Sequence, residues 1–243
     1  MSNKTLYQIG LIGAILATVS WVVFVYAQMS TPATSGMDDS QQFFLTIQEA
    51  RTQFLLYGWS GVFGILFGLP YLFTFYKAIV GKEPMIQLSL YFVLIGSVLA
   101  VFGFFKPLTL VYEYVPMAMA VDAKMLPFLK TAVTASSEVM ELPWNLGSLL
   151  LFGLGTGLFA LHAWRANVGP KWVNASGIIG GLAGIIWLQA YIPFLVPVAT
   201  ILIALNILAI TVWAIGLSIS LVRHAPKSYP GRMETERPLS PSI

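Results

Sequence analysis

Apolar residues run along this chain in long uncharged blocks separated by short polar ones. A hydrocarbon core of about 30 Å takes roughly 20 predominantly apolar residues of helix to cross. Six blocks reach that length, at about residues 6–27, 54–75, 86–105, 142–162, 172–192 and 198–222. The pattern predicts an all-α membrane protein with six transmembrane helices in one bundle, formed by residues 1–222. The first block could be read as a signal peptide, but it exceeds the usual apolar core of about 7–15 residues and is expected to stay as a span. Residues 223–243 carry four prolines among polar side chains and are expected to form a disordered cytoplasmic tail.

The interruptions are as informative as the blocks. Pro32, Gly36, Asp38 and Asp39 break the polar connection after the first block. Pro107 removes a backbone donor just past the third block and should kink that helix without ending it. Between Met117 and Ser137, Asp122, Lys124 and Lys130 alternate with Met, Leu and Phe, and Pro127 is expected to break any continuous helix. That stretch reads as an interfacial segment lying on the outer membrane surface. Glycines mark helix-packing faces, with Gly61, Gly64 and Gly68 in the second block and Gly177, Gly181 and Gly184 in the fifth. Small residues at three- and four-residue spacing let helix backbones approach closely.

Composition agrees with the pattern. The chain is 57% hydrophobic and 9% charged, with a mean hydropathy of +0.79; soluble domains carry about 25% charged residues. With six spans, both termini fall on one side. Lys4, Lys77, Lys82, Arg165, Lys171, Arg223, Lys227, Arg232 and Arg237 lie on that side, against Arg51, Lys106, Lys124 and Lys130 opposite. By the positive-inside rule the chain is a multi-pass protein of the cell (inner) membrane with both termini cytoplasmic. The net charge of +3 is spread over loops and tail, with no basic stripe for nucleic acid. The expected partners are the lipid bilayer and other membrane-protein subunits.

The candidate chemistry is sparse. There is no cysteine, which removes disulfides and thiolate sites. His162 and His224 stand at the cytoplasmic boundary, away from any mid-span haem position. Met117 and Met119 offer thioethers to Cu(I), though methionine is more often a flexible apolar filler. Asn174-Ala-Ser176 matches a glycosylation acceptor but lies on the cytoplasmic side of this topology. No HExxH, GxSxG, P-loop or dinucleotide fingerprint stands in its required context, so no catalytic or metal residue is assigned. The one charge constellation near membrane depth is an outer polar cluster of Glu138, Glu141, Lys106, Glu113 and Arg51. It reads either as a site for a cation, proton or small polar ligand or as interfacial ion pairs closing the helix ends. Gln189 and Asn206, inside the last two blocks, suit interhelical hydrogen bonds.

The second half contains Gly153-Leu-Gly-Thr-Gly-Leu-Phe-Ala-Leu-His-Ala-Trp-Arg, then Gly169-Pro-Lys-Trp172 and Gly177-Ile-Ile-Gly-Gly181. This resembles the uncharacterised bacterial six-span membrane family catalogued as domain of unknown function 4386. The resemblance implies a six-helix bundle and supplies no activity and no site residues. Three function classes follow in order: an accessory helical subunit or lipophilic-ligand binder in a larger membrane assembly, a small-solute transporter or channel, and an intramembrane enzyme. No cofactor is predicted; a bound lipid or lipophilic pigment suits the first class.

Overall fold

The computed structural model describes residues 3–34 and 36–225. The described residues are 87% helical, with no strand among them. Six helices are long and apolar enough to cross a membrane: Asn3–Ser30, Arg51–Ile79, Ile86–Ala120, Ala123–Arg165, Lys171–Leu188 and Pro193–Arg223. They are called the first to sixth spans below. The expected tail lies outside the described residues apart from its first three positions, since the last helix ends at Arg223.

Proline sets the differences from the sequence expectation. Pro127 does not break a helix. It sits in the first turn of Leu126–Ser148, where a missing N–H would have had no helical partner anyway. The stretch around Lys130 is therefore the opening half of the fourth span, continuous with the helix that carries Glu138 and Glu141. The chain breaks instead at Val121 and Asp122, both extended. The third span likewise runs past residue 105, and Pro107 and Pro143 both lie inside helices. Each is followed by a π-helical stretch, Leu110–Tyr114 and Leu149–Gly155. Such local widening is how a spanning helix re-satisfies backbone groups that a proline frees. The fifth span ends early: its α-helix stops at Ala183, and Gly184–Leu188 is a 3₁₀ turn.

Between the first and second spans lies the connector helix Ser40–Glu49, capped by Asp39, whose carboxylate accepts from the N–H groups of Gln41 at 2.8 Å and Gln42 at 3.3 Å. Its Phe43, Phe44 and Ile47 pack with Val111, Val115, Leu126 and Val133 in a small second core. Lys130 fastens the loop before it by donating to the backbone carbonyls of Met37 and Asp38.

Glycines close the helices onto one another. A Cβ at Gly96 would stand 2.5 Å from the Leu151 nitrogen and 2.8 Å from the Gly147 oxygen, so the third and fourth spans meet backbone to backbone. Gly181 meets Gly157, and Gly184 meets Gly153 with 2.5 Å to its Cα. Gly177 faces Ala160 and Trp213, Gly61 faces Phe104, and Gly64 faces Trp21 at 2.8 Å. Gly68 is different: a side chain there would meet only Tyr71 of its own helix, 3.6 Å away.

Candidate functional site, an aromatic cavity beside a polar one

Trp21 and Phe24 are three residues apart and share one face of the first span. The Trp21 ring meets Phe152 edge-on at 5.0 Å between centroids, and Phe24 meets Phe104 edge-on at 5.4 Å and stacks on Tyr57 at 5.0 Å. Phe104 continues to Trp144 at 4.8 Å, and Trp144 to Trp187 at 5.5 Å, both edge-on. Edge-to-face pairs put the positive rim of one ring on the negative face of the next, contributing about 0.5–1.5 kcal/mol each beyond buried area. Rings meeting this way do not fill space as aliphatic side chains do. They leave a cavity of about 40 Å³ lined by Trp21, Phe24, Trp144, Phe152, Trp187 and Asn206, with Ile207, Ile210 and Thr211 of the sixth span completing it.

Local backbone geometry places the walls. Phe152 lies in the π-helical stretch of the fourth span, and Trp187 in the 3₁₀ turn that ends the fifth. A 3₁₀ turn advances ~120° per residue where an α-helix advances ~100°, so Trp187 is carried about 60° further round than helix continuation from Gly184 would take it. Asn206 joins three spans, its side-chain amide donating to the Phe152 carbonyl at 3.2 Å and to the Gly180 carbonyl at 2.7 Å. Both amide hydrogens are thus committed, and the side-chain oxygen is what Asn206 has left for a ligand. The indole N–H of Trp187 is buried without a hydrogen-bond partner. An apolar slot with a buried donor and an acceptor suits a lipophilic molecule bearing a small polar group.

Against the other side of Trp144 lies a second cavity of about 190 Å³, lined by Tyr57, Gly103, Lys106, Ser137, Met140, Glu141 and Trp144. It brings together two of the five residues of the expected outer cluster, Lys106 and Glu141. Among the described residues these two do not close to an ion pair within 4.0 Å. Glu138, Glu113 and Arg51 are exposed and do not line the cavity. The close approach of an acid to a basic side chain is elsewhere: Glu83, in the turn before the third span, comes within 3.7 Å of Nδ1 of His162, with the His162 side chain 7% exposed. Among the described residues no three His, Asp or Glu side chains gather as metal ligands do.

Compared with known proteins, the chain matches no family, no curated relative and no solved structure. The aromatic walls escaped the sequence reading because they come from the first, fourth and fifth spans and no single helix carries them as a stripe. The available signal was Asn206, a polar side chain in the middle of an otherwise apolar block.

Proposed function

We propose that this protein is a six-helix membrane bundle that holds a lipophilic ligand in the aromatic cavity, as a subunit or ligand binder within a larger membrane assembly. The observation that carries this reading is the cavity itself: three tryptophans and two phenylalanines around Asn206, with an unpartnered indole N–H in the wall. Its volume of about 40 Å³ decides what enters first. One water takes roughly 10–15 Å³ on this measure, so a methylene chain or the edge of a flat ring fits before any wall residue moves. The charge pattern supports both termini on the cytoplasmic side of the cell membrane, with the turn at Val121 and Asp122 outside.

The full-length protein in lipid nanodiscs tests this reading with dibromostearic acid as a heavy-atom quencher of tryptophan fluorescence. A saturable phase of quenching is expected at low probe content, because Trp21, Trp144 and Trp187 wall the cavity. Ile207→Phe, which fills it, should remove that phase. Quenching that rises only in proportion to probe content, alike in both proteins, overturns the reading. Transport of a small polar solute is a second reading, favoured because Trp144 walls both the outer polar cavity and the aromatic one.

A further inference from the structure

A cavity of about 470 Å³ lies among the described residues where the first span begins and the sixth span ends. Four elements build it: the first turns of the first span, the end of the second span with its following turn, the turn between the fourth and fifth spans, and the end of the sixth. Its polar wall consists of Tyr7, Lys82, Asn167, Ser220 and His224, and its apolar wall includes Val168 and Leu221. Asn167 and Gly169 both adopt left-handed backbone, with φ of 53° and 75°. That conformation turns the chain tightly at the rim of the cavity, and glycine takes it without strain.

The wall carries several hydrogen-bond donors and the positive charge of Lys82. His224 lines the cavity with its Nδ1 2.8 Å from the Ser220 carbonyl, which can only accept. Lys82 is exposed and makes no ion pair among the described residues. Lys4, Lys77, Arg165, Lys171 and Arg223 add positive charge at the same end. Among the described residues Glu83 is the acid of that end; it approaches Nδ1 of His162 at 3.7 Å and is 21% exposed.

We propose that this cavity binds the phosphate-bearing head group of an anionic phospholipid. Lys82 would pair with the phosphate, the hydroxyls of Tyr7 and Ser220 and the amide of Asn167 would donate to its oxygens, and the Val168 and Leu221 side would take the start of the acyl chains. Basic pockets between spans select anionic head groups by this combination of charge and apolar shelf. The proposal is independent of the aromatic cavity, which shares none of these residues.

Native mass spectrometry of the full-length protein, released from nanodiscs of mixed phosphatidylcholine and phosphatidylglycerol, tests it. One phosphatidylglycerol should be retained in preference to phosphatidylcholine, and Lys82→Gln should lower that preference about fivefold, the effect of one basic residue near a charged lipid surface. Lys82→Arg should keep the preference. Lys77→Gln should keep it too, because Lys77 lies at the same end but over the Phe73 ring, 5.6 Å from its centroid, and outside the cavity. No preference, or a preference that survives Lys82→Gln, overturns the proposal. Inorganic phosphate added before release separates the two sources of the anion: lipid that stays bound supports head-group binding, and lipid that is stripped shows that free phosphate is recognised instead.

Discussion

Two helix contacts of this molecule are made by opposite means. Where the third and fourth spans meet, Gly96, Gly147 and Gly155 let backbones touch, and Ser97 and Ser148 sit buried among them. Where the first span faces the fourth and fifth, Trp21, Trp144, Phe152 and Trp187 hold the backbones apart and leave a gap. In a bilayer there is little hydrophobic drive between helices, so close packing and hydrogen bonds have to supply the attraction. The glycine seam gains it along a continuous surface. The aromatic side gains it at ring edges and at Asn206, and keeps open volume that a ligand can use.

The comparison breaks most sharply at the seam. Gly96→Leu puts a side chain into the backbone of the fourth span, which cannot yield as a flexible side chain can, and should destabilise the protein by about 3 kcal/mol, the upper part of the overpacking range. Thermal unfolding in mild detergent checks this, with Gly81→Ala as a neutral control because nothing lies within 4 Å of a Cβ at that turn. A change at Gly96 no larger than that at Gly81 would mean the seam is not the close contact described.

On the aromatic side the expected loss is smaller. Asn206→Leu keeps the volume but removes two hydrogen bonds that tie the sixth span to the fourth and fifth. Intramembrane bonds of this kind contribute about 0.6–1.7 kcal/mol, so a loss near 1 kcal/mol in the same assay is expected. The outer polar cavity ranks last. Lys106 and Glu141 are both exposed and not closed into a pair, so Lys106→Met should cost less than about 1 kcal/mol. A double change with Glu141→Gln should be additive within about 0.5 kcal/mol. Strong recovery in the double variant would reveal a coupled pair that the geometry does not contain.

The six spans were legible in the sequence because an uncharged block of about 20 residues has few other physical solutions. Most of the glycine contacts were legible for a related reason, since spacing alone puts Gly177, Gly181 and Gly184 near one face. Gly68 kept the spacing yet faces only its own helix, because periodicity gives a direction and not the neighbour found there. Pro127 misled where its position relative to the helix start mattered more than its presence. The site was the least legible part. Lys106 and Glu141 could be placed near one another by the depth of their spans, whereas the meeting of Phe152 with Trp187 depends on a π-helical stretch and a 3₁₀ turn that no residue pattern announces.

Asn206 also has a consequence for the order of assembly. Chains leave the ribosome amino terminus first, so the fourth and fifth spans reach the membrane before the residue that joins them. Until the sixth span arrives, the carbonyls of Phe152 and Gly180 lack their amide donor, and the aromatic cavity lacks the wall formed by Ile207, Ile210 and Thr211. The last helix made is thus the one that closes the cavity, and a ligand of the early intermediate would meet an open cleft in place of a slot.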